Sequence, residues 1–228
     1  MVFYYKGPLI KIFSYYFPLN IKYLCNTEIV CHDKSVLLPK NRRMKKTAAT
    51  PPGKSLFFVA VIAPEPVQSE ITEMKQTAKE LFGSGHALNA PAHMTLIPPF
   101  RATEEQMEAF AADLKRLLRH KELPPVRLNG FDRFGNRVIF VDVEKNPRWE
   151  ALQNEIYELF RRHFPRQAKP NRFHPHFTIA FRDLRPEMFE EAWSYFNRDS
   201  YEASFLPESI DILRHKNGKW HIFKKINK

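Results

Sequence analysis

The stretch HPHFTIAF, residues 174–181, puts two histidines and a threonine at the head of an apolar run. A strand bound for a core gains nothing from them, because a polar group buried without a partner costs free energy. Upstream, PAHMTLIPPF (residues 91–100) places one histidine and one threonine in the same way. Side chains alternate between the two faces of a strand, so residues i and i+2 point together. His93 and Thr95 therefore share one face, with Met94 and Leu96 on the other. His176 and Thr178 share a face, with Phe177 and Ile179 opposite. Each strand is predicted to seat its apolar face on the core and to offer a His-Thr pair to a cleft.

The flanking sequence repeats this plan. SLFFVAVIA (55–63) has the composition of a buried strand. PVQSEITEMKQTAKELFGS (66–84) has helical spacing, with Ile71, Met74, Ala78 and Leu81 on one face. The strand 93–100 follows and is expected to stop at Pro98 and Pro99. A helix over 103–120 opens on a capping box, Thr103 with Gln106 at the third helical position. The order then restarts. PPVRLNGFDRF and NRVIFVDVE predict a strand pair around Gly135-Asn136. PRWEALQNEIYELFRRHF is a helix with Pro147 in its first turn. HFTIAF is a strand and RPEMFEEAWSYFNR a helix. A last hairpin turns on Asn217-Gly218. Strand, helix, His-x-Thr strand, helix thus occurs twice, a weak internal repeat carrying a chemical mark. With nine histidines in 228 residues, chance rarely supplies even one His-x-Thr at such a point.

Two imidazoles facing each other across a groove suit acid–base chemistry near neutral pH, one taking a proton while the other gives one. Two threonine hydroxyls can donate to an anionic oxygen held between them. A phosphodiester, above all a strained cyclic one, needs a base for the attacking hydroxyl, an acid for the leaving oxygen and donors for its phosphoryl oxygens. These four residues supply all of that without a metal or another cofactor. The expected roles are His93 as general acid and His176 as base.

HMTL together with PHFTIAF resembles the two-histidine (2H) phosphoesterase superfamily, in its 2′-5′ RNA ligase-like, RNA 2′,3′-cyclic phosphodiesterase branch. The resemblance runs over about residues 55 to 226. It implies an α+β fold of two pseudo-symmetric lobes, with antiparallel sheets around a central cleft and helices outside. It also implies metal-independent hydrolysis of a 2′,3′-cyclic phosphate to a 2′-phosphate, and in some members reversible 2′-5′ joining of RNA. His93, Thr95, His176 and Thr178 match the motif. Related bacterial members often read T-L-A-R after the second histidine, with the arginine on phosphate. Here the match is TIAF, so Phe181 takes that place and Arg182 follows. Lys169, Arg172 and Arg101 are the candidate replacements. Further possible substrate contacts are His86, His174, Phe100 and Phe134, the last two as surfaces on which a base could stack. A small cyclic nucleotide or a 2′-5′ oligonucleotide is an alternative substrate, and a non-catalytic RNA-end binder an alternative function.

The bulk composition sets the frame. The net charge of +11 is concentrated at the start: the first fifty residues hold nine Lys or Arg against two acids, the rest 27 against 23. The mildly basic body fits local phosphate contacts better than the coating of a duplex. Cys25 and Cys31 are the only cysteines, so neither a disulfide framework nor a cysteine metal site can hold the body together. His174 and His176 have no third and fourth ligand spaced for zinc, and no P-loop or Rossmann glycine pattern occurs. No apolar run reaches membrane-spanning length. The expectation is a cytoplasmic monomer that takes RNA ends or cyclic nucleotides as substrate. Residues 1–50 are expected to form a weakly ordered extension before a phosphoesterase domain over 51–228. No signal peptide is expected, since Lys and Pro interrupt the apolar stretch and no cleavage site follows, and MKKTAATPPGKS from Met44 reads like a natural start followed by a short linker.

Overall fold

The computed structural model describes residues 53–170 and 172–227. They belong to one compact unit, Ala48–Lys228. The extension expected over residues 1–50 lies outside the described residues. In chain order the elements are β1 (Ser55–Ile62), α1 (Val67–Phe82), β2 (His93–Ala102), α2 (Glu104–Leu118), β3 (Val126–Phe134), β4 (Val138–Val143), α3 (Pro147–His163), β5 (His176–Phe181), α4 (Phe189–Phe196), β6 (Glu202–Phe205), β7 (Ser209–Lys216) and β8 (Lys219–Asn227). Short 3-10 turns, His86–Asn89 and Pro186–Met188, precede β2 and α4.

All eight strands form one sheet in the order β6-β3-β4-β5-β2-β1-β7-β8, and every neighbouring pair is antiparallel. The two expected sheets are therefore joined. The joint is narrow: β2 meets β5 at the single pair Met94↔Phe177. About that pair the halves are related as by a twofold axis, with β2, β1 and β7 answering β5, β4 and β3. The helices strengthen the joint, because α1 packs on β5 and α3 on β2. Each half covers a strand of the other.

One face of the sheet is packed under the helices. Phe57, Val59, Met94, Ile97, Phe177 and Ile179 meet Ile71, Phe110, Trp149 and Ile156 there, all fully or almost fully buried. Each such side chain contributes about 1.5–3 kcal/mol on burial. The alternate residues of β2 and β5 are half-buried on the other face, as the strand period requires.

Three sequence expectations change. β2 does not stop at Pro98 but runs on to Ala102. Its pairing with β1 skips between Ile97↔Val59 and Phe100↔Phe57, and the two exposed prolines occupy the skip, where no amide is asked to donate. On its other side β2 has already left β5. There Gln153 Nε2 donates to the Leu96 carbonyl (3.0 Å), and the Gln167 carboxamide closes on both the amide and the carbonyl of Arg101 (2.8 and 2.7 Å). These two side chains stand in for a missing strand. Second, α1 is rotated from the expected face: Val67, Ile71, Lys75, Ala78 and Phe82 are buried, and Leu81 is 53% exposed. Third, β6 was not anticipated, because EASF is too short and too polar to stand out.

Candidate active site

The junction of β2 and β5 assembles the site. Because the strands are antiparallel around Met94↔Phe177, one step either way sets His93 beside Thr178 and Thr95 beside His176. Met94 and Phe177 point into the core, so these four side chains lie together on the open face. Directly opposed Cβ atoms in a ladder are about 5 Å apart, which brings all four within reach of one phosphoryl group.

Both imidazoles are held alike. His93 Nδ1 lies 2.7 Å from the Pro91 carbonyl, and His176 Nδ1 lies 2.7 Å from the His174 carbonyl. A carbonyl can only accept, so each Nδ1 carries its hydrogen and each Nε2 presents a lone pair to the cleft. Among the described residues no hydrogen bond engages either Nε2 or either threonine hydroxyl.

Aromatic rings wall the cleft. Phe58 packs on His93 with centroids 4.8 Å apart, and Trp220 stands edge-on to Phe58 at 4.5 Å. Phe140 and Phe134 pack on His176 at 4.9 and 5.0 Å. Phe134 is also 39% exposed, an open ring beside a candidate catalytic group.

The environments of the two histidines differ in their neighbouring charges and in depth of burial. Across the next ladder His93 faces Ile62, whereas His176 faces Asp142. Burial lowers the pKa of His93 to about 4, opposed by its bond to the Pro91 carbonyl and aided by the nearby charges of Lys75 and His176. Burial also lowers His176; its bond to the His174 carbonyl opposes this, the His174 ring adds to it, and the carboxylate of Asp142 pulls upward. The free site thus favours two neutral imidazoles and places the more readily held proton on His176. This order opposes the assignment of His93 as acid.

The other expected contacts divide. His174 lies beside His176: its carbonyl fixes the His176 ring, its Nε2 lies 3.4 Å from Asp142 Oδ1, and its ring meets Phe134 at 5.0 Å. Phe100 does not. It is 4% exposed and packed against Phe160 and Phe164, so no base can stack on it. Arg101 sits at the far end of β2, its backbone held by Gln167. The Lys169 carbonyl accepts from the Tyr157 hydroxyl, and Lys169 and Arg172 lie on the exposed loop before β5. His86 lies beyond the far end of β5, 5.1 Å from the ring of Phe181, with its Nε2 3.3 Å from Arg182 Nη1. Arg182 does not continue the strand. It takes a left-handed φ of 61°, and Asp183 then binds the amides of Gly85 and His86. Sequence reasoning missed Asp142, although an acid inside VIFVDV is the same kind of anomaly as a histidine inside HFTIAF. It also missed Phe58, Phe140 and Trp220, which no pattern separates from core aromatics.

Among the described residues no helix is long and apolar enough to cross a membrane, and no group of three or more His, Cys, Asp or Glu side chains is placed to hold a metal ion.

The chain is similar to several known proteins. The family model of the 2′-5′ RNA ligase superfamily matches residues 63–219. A Geobacillus kaustophilus protein named for phosphoesterase activity is 26% identical over 173 residues, 74% of this chain and 93% of its own length. A Bacillus cytotoxicus protein named in the same way is 32% identical over 139 residues, 60% of this chain and 78% of its own. The crystal structure of TT0787 from Thermus thermophilus superposes with a TM-score of 0.56 at 20% identity, covering 75% of this chain and 97% of that one. Escherichia coli LigT, solved with 3′-AMP, gives 0.52 at 18% identity, with coverage of 75% and 97%. The chain belongs to the 2′-5′ RNA ligase superfamily of two-histidine phosphoesterases.

Proposed function

We propose that the chain hydrolyses 2′,3′-cyclic phosphates at RNA ends, or on nucleotides, to 2′-phosphates. The observation that carries this reading is the matched pair of imidazoles, each with Nδ1 tied to a carbonyl and Nε2 free, flanked by two free hydroxyls. The cyclic phosphate sits between them, and Thr95 and Thr178 donate to its non-bridging oxygens. His93 Nε2 takes a proton from water as the water oxygen attacks phosphorus. The bond from phosphorus to O3′ breaks, and His176 gives its proton to O3′. The 2′-phosphate remains. The bound anion raises the proton affinity of both rings, and the deeper burial of His93 leaves His176, with Asp142 beside it, as the one that arrives charged. Phe134, open beside His176, offers a ring on which a base of the substrate stacks.

The direction of proton flow has its own test. In a cyclic phosphate with sulfur in place of O3′, the leaving thiolate needs no acid. His176→Ala should recover most of its lost rate on that substrate, and His93→Ala should not. Rescue of His93→Ala alone would reverse the roles.

A further inference from the structure

A second feature lies against the first half of the site. Beside His93 is a groove of about 240 Å³, lined by Lys75, Asn89, Pro91, Lys219, Trp220 and His221 among others, and by no Asp or Glu. Lys75 is the unusual member. It projects from α1 onto the buried face of that helix and is 3% exposed. Its Nζ donates to the Ala90 carbonyl at 3.1 Å, which uses one of its three hydrogens. Among the described residues no carboxylate pairs with it. A buried ammonium without a counter-ion is costly, and burial draws its pKa down to about 8. A methionine would fill the same space without that cost. A cation kept at such a place, in a groove with a second lysine, a histidine and no acid, is matched to an anion that arrives.

The anion belongs to the substrate that reaches His93. The carbonyls of two consecutive residues, Ala90 and Pro91, hold Lys75 Nζ and His93 Nδ1 respectively. Trp220 lines the groove and also packs on Phe58, the ring that walls His93. The cationic groove and the imidazole are thus neighbouring compartments divided by one short stretch of backbone. We propose that this groove binds a second phosphate of the substrate strand, the one on the 5′ oxygen of the nucleotide whose 2′,3′-cyclic phosphate lies between the histidines. The proposal rests on the cyclic-phosphate reading and deepens it. It makes an oligonucleotide end, or a 5′-phosphorylated nucleotide, a better ligand than a nucleotide with a free 5′-hydroxyl.

The test reads binding, so a protein that turned over no cyclic phosphate would still answer it. Adenosine 2′-phosphate and adenosine 2′,5′-bisphosphate are titrated by calorimetry into the full chain and into Lys75→Met and Lys219→Met. The wild type should bind the bisphosphate about ten- to a hundredfold more tightly, the effect of one charge-assisted contact, and the ratio should shrink as salt is raised. In Lys75→Met the ratio should fall toward one, and in Lys219→Met it should fall several-fold. A ratio near one in the wild type overturns the proposal. So does an unchanged ratio in a Lys75→Met protein that keeps its melting transition. If Lys75→Met does not fold, the Lys219→Met ratio decides in the same way.

Discussion

His93 and His176 gain their usefulness from backbone carbonyls. Each gives Nδ1–H to the residue two before it, at 2.7 Å, and this fixes tautomer and ring angle before any ligand binds. Replacing either ring by alanine should lower kcat by about 10²–10⁴ while the melting transition stays near wild type. The double variant should be little worse than either single one, since the rings act as a unit. Thr95→Ala and Thr178→Ala should each cost about 10²–10³ at most, the loss of one donor to developing charge. Asp142 tests the asymmetry. A general acid must be protonated, so activity falls as pH rises through its pKa. Removing the neighbouring carboxylate in Asp142→Asn lowers the proton affinity of His176, so the alkaline limb of the kcat profile should move to lower pH. An unmoved limb would mean that Asp142 does not set the proton affinity of the acid.

At the scale of the element, periodicity made most of the fold legible. The His-x-Thr strands, the capping box and the Asn217-Gly218 hairpin are local signals, and each lies where expected. Thr103 Oγ1 accepts from the Gln106 amide while Gln106 returns the bond, so Thr103→Ala should cost about 1 kcal/mol, read as a lowered denaturant midpoint with unchanged slope. Asn217 and Gly218 both take positive φ, 53° and 79°, as a two-residue turn of this kind requires. What the sequence hid was set by distant partners. Pro98 and Pro99 break a strand only where amides must donate, and the skip against β1 removes that need. Lys75 occupies the buried face of α1 in place of the apolar residue that periodicity expects, which turned the predicted face toward Leu81. Phe100 could not be told from a cleft aromatic until the packing of α3 enclosed it. Asp142 gains meaning only from its cross-strand position beside His176.

For the whole molecule, a twofold-like sheet pinned at Met94↔Phe177 explains why one motif occurs twice, 83 residues apart. Folding forces the two copies together, and the site is complete only when both halves are. The site also loads the fold with a pH dependence. The unfolded chain holds His93 near its ordinary pKa of 6.5, and the fold lowers it to about 4. Between those values the unfolded state binds more protons, so the contribution is full above about pH 6.5 and is lost as pH falls toward 4. His93→Gln should flatten that slope, by up to about 2 kcal/mol after allowance for partial exposure, in denaturation midpoints taken from pH 7 to pH 4. The most direct measurement is made on the purified full chain with an RNA oligonucleotide ending in a 2′,3′-cyclic phosphate, in EDTA. The expected result is conversion to a 2′-phosphate end at a rate EDTA does not change, lost in both His93→Ala and His176→Ala. A 3′-phosphate product, activity that EDTA abolishes and a divalent ion restores, or near wild-type turnover in either histidine variant would contradict it.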